Sequence, residues 1–186
     1  DKKTKKASIK SELKEINNSI IANERVGAVV NKWQSILNKK IKEIIENPDE
    51  VILNAKIPLD GRDKPIRSKQ TNLGEIITKS MSFAFDDKVD CALVNGGSIR
   101  IDDALEGNIT AVDIFRVLPY GGAVLKVKLK GNLLQKVLDY GVKAAGTGAY
   151  LQRYNVEKKN NKWLIQNKAI NPNEIYTVAF SDYLLK

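Results

Sequence analysis

An amphipathic pattern over residues 23–47 is the clearest periodicity in the chain. Its apolar positions recur mostly at steps of three and four residues, which is the period of one helix face. Pro48 and Asp49 follow and end the pattern. The spacing therefore predicts one long amphipathic helix, which could pack on its own domain or pair as a coiled coil. The apolar positions are Val26, Val29, Val30, Trp33, Ile36, Leu37, Ile41, Ile44 and Ile45.

Before this helix the pattern is weaker. Ile9, Leu13 and Ile16 have a spacing that fits a short helix or an irregular edge strand, and periodicity does not decide between the two. After the helix, Val51 begins an extended segment, and residues 58–67 contain two prolines, one glycine and two arginines. That composition predicts a polar loop.

The rest of the chain mixes helical and strand patterns without strict alternation. Thr71 or Asn72 is expected to cap the next helix. Alternation over residues 123–130 puts every second side chain, from Ala123 to Leu129, on the face expected to be buried. Helices are predicted over residues 72–85, 112–117 and 133–142, and strands over residues 89–94, 123–130, 150–152, 163–165 and 175–180, with 163–165 forming one arm of a hairpin after a turn at Asn160-Asn161.

This mixture predicts an α+β fold, a mixed α/β sandwich that forms a single compact domain after the long helix. The expected domains are residues 1–48, an N-terminal extension with the long helix, and residues 49–186. The chain begins without methionine and stops directly after a strand pattern. We therefore expect that sequence is missing at its ends, the C-terminus included.

Composition supports one folded domain with an appendage. The chain has 186 residues, of which 42% are apolar, enough for a hydrophobic core. Its 31 basic and 22 acidic residues give a formal charge of +9, which suggests a nucleic-acid partner. The lysines are spread over the start of the chain, the long helix and one asparagine-rich turn, so we interpret them as solvated surface. No stretch approaches the length of a membrane-spanning helix.

The chain contains no histidine. It therefore lacks the commonest general base near neutral pH and the commonest ligand for zinc or iron. The adjacent carboxylates Asp86-Asp87 and Asp102-Asp103 could hold a hard cation, but helix caps or turns explain them better. Cys91 lies among apolar residues and is expected in the core. Catalysis by this chain alone is not expected, and no metal ligands are predicted in it.

The run Asn-Gly-Gly-Ser-Ile-Arg over residues 95–100 follows a strand pattern that ends at Val94. Two adjacent glycines let the backbone approach a ligand, and their amide hydrogens could point together into a concavity. The guanidinium of Arg100 adds a planar, two-pronged donor for phosphate or carboxylate. The run therefore predicts an anion site, although Gly-Gly between strands is also typical of a tight turn.

Four motifs together resemble the C-terminal, substrate-binding domain of the 5'-nucleotidase family. They are Asn-Leu-Gly at residues 72–74, the run at 95–100, Leu-Pro-Tyr-Gly at 118–121 and the segment 176–184, and they occur in the family's order. The resemblance covers about residues 50–186. The helix before Pro48 then resembles the family's linker helix between two domains.

The resemblance implies a nucleotide-recognition domain. In this family a separate N-terminal metallophosphatase domain holds two divalent metal ions that activate water, while the C-terminal domain binds the nucleotide. No cofactor is then expected in this chain. Its implied partners are a nucleotide or nucleoside phosphate and the absent N-terminal domain of the same polypeptide, and its implied location is periplasmic, extracellular or at the cell surface.

By similarity, Asn95 and Arg100 would contact the phosphate or ribose, with Gly97 in the same loop. Arg67 would help to hold the phosphate. Arg62 is a further candidate, although the loop around it differs in length from the family pattern. Several guanidinium groups on one phosphate neutralise its charge and orient the scissile group.

Tyr120 and Tyr183 stand where the family has two aromatic rings, usually phenylalanines, that stack on the base. Tyrosine has the same π face, so stacking is retained. Gly122 replaces an asparagine of the family, and Lys186 ends the chain before the family's Gly-Gly-Asp-Gly run. The alternative is therefore a binding or scaffold module that kept the fold but lost the nucleotide, while a basic nucleic-acid binder is supported by charge alone.

Overall fold

The computed structural model describes Ala7 and residues 9–185 of the chain. The chain divides into two compact units, one ending at Ile44 and the other beginning at Ile45. All strands among the described residues belong to the second unit. The domain limits expected from the sequence, 1–48 and 49–186, stay a prediction.

The first unit contains one long helix, α1 (Glu24–Ile44). The side chain of Asn23 caps it, since its oxygen accepts a hydrogen bond from the Val26 amide at 3.1 Å. The long helix predicted from the apolar spacing is confirmed, and it ends at Ile44 rather than near Asn47. Residues 9–16 form neither the helix nor the edge strand considered for them.

The second unit is built around three sheets. The central sheet has four strands, of which the two in the middle are parallel and the outer pairs antiparallel. The strands are β1 (Val51–Asp60), β2 (Cys91–Asn95), β3 (Ala104–Thr110), β4 (Val124–Lys130), β5 (Leu151–Tyr154), β6 (Val156–Lys159), β7 (Lys162–Ile165), β8 (Lys168–Ala169) and β9 (Ile175–Ser181). Their orders are β4-β9-β2-β5 in the central sheet, β1-β3 in a two-stranded sheet and β6-β7-β8 in a small antiparallel sheet.

Four helices accompany these sheets. Thr71 is the cap of the second of them, because its side chain accepts a hydrogen bond from the Gly74 amide. The helices are α2 (Asp63–Ile66), α3 (Asn72–Phe83), α4 (Ala111–Val117) and α5 (Gly131–Lys143). Both α3 and α5 contact the central sheet. The combination of mixed sheets and interspersed helices confirms the predicted α+β class.

Strand β2 lies at the centre of the core, and all five of its residues are buried. It pairs with β5 on one side and with β9 on the other. Its side chains are buried on both faces of the sheet, which explains the continuous apolar run over residues 91–94. Cys91 is part of this strand, and burial raises the pKa of its thiol to about 12. It is a core residue, as predicted.

The alternation in β4 is confirmed in its main sense. Leu125, Val127 and Leu129 are half-buried, while the residues between them are exposed. The expectation for Ala123 was wrong, because this residue precedes the strand and is exposed. Asn160 and Asn161, each with a positive φ, form the turn that joins β6 to β7 in the predicted hairpin.

The prediction of a polar loop over residues 58–67 was wrong at both ends. Pro58 belongs to β1, and Asp63–Ile66 forms the short helix α2. A proline fits in this strand because the pairing of β1 with β3 is irregular between Ala55 and Leu59, where no ladder hydrogen bond from residue 58 is needed. Strands β3, β6 and β8 had no clear sequence signal.

The two acidic pairs have structural roles. Asp86 and Asp87 have φ values of 53° and 54° and form a turn after α3. Asp102 accepts a hydrogen bond from the Asp63 amide at 2.8 Å, and the Asp103 side chain accepts one from the Ala104 amide at 2.8 Å. Both pairs are therefore turns and caps, as expected.

Replacing Gly131 by alanine tests the close approach at the start of α5. A Cβ at Gly131 would overlap the backbone oxygen of Asn171, which has no room to move because the Gly131 amide is bonded to Glu174 in the same turn. We expect Gly131→Ala to lower the free energy of unfolding by about 1–3 kcal/mol in urea denaturation. Gly27→Ala, in α1 with open space around it, is the control and should cost nothing. Equal stability of the two variants would contradict the packing described here.

Acid titration tests the cap of α4. Thr110 and Asp113 form a reciprocal capping box, and hydrogen bonds from the Thr110 backbone and side chain and from Arg116 lower the pKa of Asp113 from its ordinary 3.8. Because the folded-state pKa is depressed, the carboxylate stabilises the fold above pH 3.8 and loses this effect as the pH falls through the folded-state value. Asp113→Ala should therefore cost about 0.5–2 kcal/mol at neutral pH. The difference from the wild type should shrink in urea denaturation below pH 3.8, and a difference that stays constant there would refute the assignment.

Candidate ligand-binding site

The run at 95–100 begins where β2 ends. Residues Gly96–Ser98 form one turn of 3-10 helix, and Asn95 is buried. The Asn95 side-chain amide donates to the Gly148 carbonyl at 3.3 Å, and its oxygen accepts from the Ser98 hydroxyl at 2.7 Å. Asn95 thus shapes the turn and joins it to the loop that carries Gly148.

The glycines of this turn have a different role from the one expected. Their amides were expected to face an anion, but the Gly96 amide donates to the Tyr150 carbonyl at 2.7 Å and the Gly97 amide to the Gly148 carbonyl at 2.9 Å. A Cβ at Gly96 would lie 2.6 Å from the carbonyl oxygen of Ile66. The glycines are therefore needed for the close approach of three backbone segments, and the anion-binding amides are a wrong prediction.

Arg67 lies on the segment that also carries Ile66. Its Nε donates to the Asp63 carboxylate at 2.5 Å, and its side chain is 25% exposed. A Cβ at Gly148 would lie 3.1 Å from the Arg67 Nη1 and 3.3 Å from the Gly97 Cα. The Arg67 guanidinium therefore lies against Gly148, which in turn packs against Gly97.

Arg100 lies at the other end of the turn and is exposed. Its Nη1 donates to the Gly97 carbonyl at 3.3 Å, and its Cζ is 5.8 Å from the centroid of the Tyr120 ring. Among the described residues no carboxylate lies within ion-pair distance of Arg100. The cation is therefore held by a carbonyl and an aromatic face. Arg100 contacts Gly97 directly, whereas the Arg67 guanidinium lies next to Gly148.

The two tyrosines lie on adjacent loops. The pairing of Val124 with Ser181 brings the loop before β4 next to the short 3-10 helix at Asp182–Leu185, and the Asp182 amide donates to the Ala123 carbonyl at 2.9 Å. Tyr120 is 68% exposed and Tyr183 is 63% exposed. Two largely exposed aromatic residues thus lie on neighbouring loops of the unit.

Gly122 lies where these two loops meet. A Cβ at this position would lie 2.9 Å from the Asp182 Oδ1, so the asparagine of the family pattern would meet the Asp182 carboxylate. The glycine at position 122, where the family has asparagine, therefore fits the limited space beside Asp182.

One cavity of about 1570 Å³ adjoins most of these groups. Five of the six predicted site residues line it, namely Asn95, Gly97, Arg100, Tyr120 and Tyr183. Arg67 does not line the cavity. It lies next to Gly148, which does line the cavity. Its polar lining comes from the turn at 95–100, from the loops of Tyr120 and Tyr183 and from Lys136 and Tyr140 of α5, while side chains of α3, β1, β3 and α4 make much of the remainder apolar.

Two residues of the site, Gly148 and Asp182, were not predicted from the sequence. No periodic signal distinguishes either residue. Their contacts with Gly97 and Gly122 depend on the pairing of distant strands.

Arg62, the further candidate, is engaged elsewhere. Its guanidinium donates two hydrogen bonds to the Asp60 carboxylate, at 2.8 and 2.9 Å, and this pairing lowers the pKa of Asp60. Arg62 does not line the cavity. No cluster of three or more metal-ligating side chains occurs among the residues that the structure describes.

Comparison with known proteins identifies the family. The family model for the 5'-nucleotidase C-terminal domain matches residues 51–186. The 5'-nucleotidase of Homo sapiens is 33% identical over 150 residues, which is 74% of this chain and 25% of the human protein. The 5'-nucleotidase of Vibrio parahaemolyticus is 39% identical over 127 residues, covering 65% of this chain and 19% of that protein. The chain belongs to the 5'-nucleotidase C-terminal domain family and spans about a quarter of the length of the human relative.

Solved structures share the fold. The 5'-nucleotidase precursor of Thermus thermophilus superposes with a TM-score of 0.69 at 22% identity, over 81% of this chain and 33% of that chain. The NAD nucleotidase of Haemophilus influenzae gives 0.61 at 18% identity, over 87% of this chain and 32% of that chain. None of the helices in the described part of the chain is long and apolar enough to span a membrane.

Proposed function

We propose that residues 49–186 form the nucleotide-recognition domain of a two-domain, 5'-nucleotidase-like metallophosphohydrolase that removes phosphate from nucleotides. The observation that carries the proposal is the meeting of three loops at one cavity. One loop carries Asn95 and Arg100, one carries Tyr120 and one carries Tyr183. Arg67 adjoins the lining of this cavity through Gly148.

The phosphate would lie between the two arginines. Among the described residues no carboxylate pairs with Arg100. An anion would therefore bind the Arg100 guanidinium without displacing a carboxylate. Arg67 uses its Nε for Asp63, which leaves the two terminal nitrogens of the guanidinium for a ligand. Two guanidinium groups on one phosphate would neutralise its charge and fix its direction.

The base would stack on the rings of Tyr120 and Tyr183. Both rings are more than half exposed, and a base buries more apolar surface on them than on an aliphatic residue. Arg100 lies over one face of Tyr120, so phosphate and base groups would be held next to each other. This spacing suits a ligand with one anionic end and one flat, aromatic end.

The hydrolytic step belongs to a different part of the enzyme in this proposal. Two divalent metal ions in an N-terminal domain would supply the attacking hydroxide, while this chain binds the nucleotide and orients its phosphate. Helix α1 would connect the two domains. The family resemblance supports a periplasmic, extracellular or cell-surface location and a role in nucleotide breakdown.

Calorimetric titration with adenosine 5'-monophosphate tests the phosphate contact. We expect saturable binding by the chain and a loss of about 10–100-fold in affinity for Arg100→Ala, the range of a charge-assisted hydrogen bond. Arg116→Ala is the matched control, because Arg116 is an exposed arginine of α4 paired with Asp113, and its affinity should equal that of the wild type.

The same titration separates the alternatives. A wild-type chain that folds but shows no response to the nucleotide would support the module that lost its ligand. Binding to any oligonucleotide with a steep dependence on salt would instead support the basic nucleic-acid binder.

Truncation of the rings tests the base contact. Tyr120→Ala and Tyr183→Ala should each lower the affinity for adenosine 5'-monophosphate by the equivalent of about 1–3 kcal/mol, while the corresponding phenylalanine variants keep it. Ribose 5-phosphate, which has no base, should bind the wild type and Tyr183→Ala equally. A loss of ribose 5-phosphate affinity in Tyr183→Ala would argue against stacking.

A further inference from the structure

Gln152 is a fully buried polar side chain in β5. Its Nε2 donates to the carbonyls of Ile66 and Lys69, each at 2.7 Å, and its Oε1 accepts from the Thr71 amide at 2.9 Å. The three partners lie on both sides of Arg67 in sequence. One side chain therefore holds the whole segment that carries Arg67.

This arrangement satisfies backbone groups that have no strand partner. Residues 67–71 connect α2 to α3 and belong to no sheet, so buried carbonyls and amides in them would be costly without a bond. An apolar side chain of the same size could fill the space but could not make these three bonds. Gly74 leaves room for the amide, since a Cβ there would overlap the Gln152 Oε1.

Three further bonds fix the same segment. The side chain of Gln70 donates to the Arg153 carbonyl at 2.9 Å and accepts from the Arg153 amide at 2.9 Å, as a neighbouring strand would. The Gly146 amide donates to the Arg67 carbonyl at 2.8 Å. The segment is thereby attached to β5 and to the loop before it.

The attachment also fixes where the Arg67 segment lies relative to the candidate site. In the register of β2 with β5, Gln152 lies opposite Val94, and Leu151 lies opposite Asn95. The strand that holds the Arg67 segment is therefore the neighbour of the strand that leads into Gly97 and Arg100.

We infer that Gln152 is a positioning residue, which holds the Arg67 guanidinium at a fixed place beside Gly148 so that it can act together with Arg100 on a phosphate. The inference rests on the proposed function for the identity of the ligand. It assigns no contact between Gln152 and the nucleotide. Gln70 supports the same segment from its exposed side.

A double-mutant cycle in the full chain tests this inference, with adenosine 5'-monophosphate as the probe. Gln152→Met keeps the length of the side chain and removes all three bonds. We expect it to weaken binding about tenfold when Arg67 is present and to have no effect in the Arg67→Ala background. An equal loss in both backgrounds, or no loss in either, would overturn the inference.

Two more variants keep the test sharp. Leu138→Ala removes a fully buried apolar side chain of α5 and destabilises the fold without touching the Arg67 segment, so its affinity should remain that of the wild type. If Gln152→Met does not fold, Gln70→Ala takes its place in the cycle. A smaller loss of the same kind, again absent in the Arg67→Ala background, supports the inference, and an unchanged affinity contradicts it.

Amide hydrogen exchange distinguishes this inference from the proposed function. If the folded wild type does not bind the nucleotide, the proposed function fails, and exchange still reports on Gln152. In Gln152→Met, or in Gln70→Ala if the first does not fold, the amides of Thr71 and Gly146 should exchange at least about tenfold faster relative to Leu138→Ala, while the amide of Val178 in β9 should not. Unchanged exchange at Thr71 and Gly146 would show that the side chain does not hold the segment.

Discussion

The candidate site depends on the contact of three backbone segments at glycines. Gly96 approaches the carbonyl of Ile66, and Gly97 approaches the Cα of Gly148, at distances that would place a Cβ within 2.6 and 3.0 Å of its neighbour. Any other residue at these positions would separate the segments. Because Arg67, Arg100 and Gly148 lie on these segments, this packing fixes the relative positions of the backbone that carries the two arginines.

The same constraint determines which groups are available to an anion at this turn. Amides that the double glycine could offer to a ligand are already bonded to Tyr150 and Gly148. Charge for an anion must therefore come from side chains, and two arginines border the turn. The aromatic pair is brought beside them by an independent element, the antiparallel pairing of β4 with β9. Two separate parts of the fold thus contribute to one surface.

The sequence predicted well what depends on local periodicity. Helices α1, α3 and α5 and the buried strand β2 have regular apolar spacing, and the Asn160-Asn161 turn has the residues that a positive φ favours. It failed where tertiary pairing decides. Pro58 lies in a strand because an irregular register accepts it, and the amides of Gly96 and Gly97 are bonded to a loop about 50 residues away. The hydrogen bonds from Gln152 to the Arg67 segment could not be predicted from the sequence, since an isolated glutamine in a strand pattern has no special spacing.

Nucleotide recognition by this domain requires that both arginines contact the same anion. A crystal structure of the chain with adenosine 5'-monophosphate measures this directly. We expect phosphate oxygens about 2.7–2.9 Å from guanidinium nitrogens of both Arg67 and Arg100, with the base against Tyr120 or Tyr183. A nucleotide bound elsewhere on the unit, or a phosphate that contacts neither arginine, would contradict it.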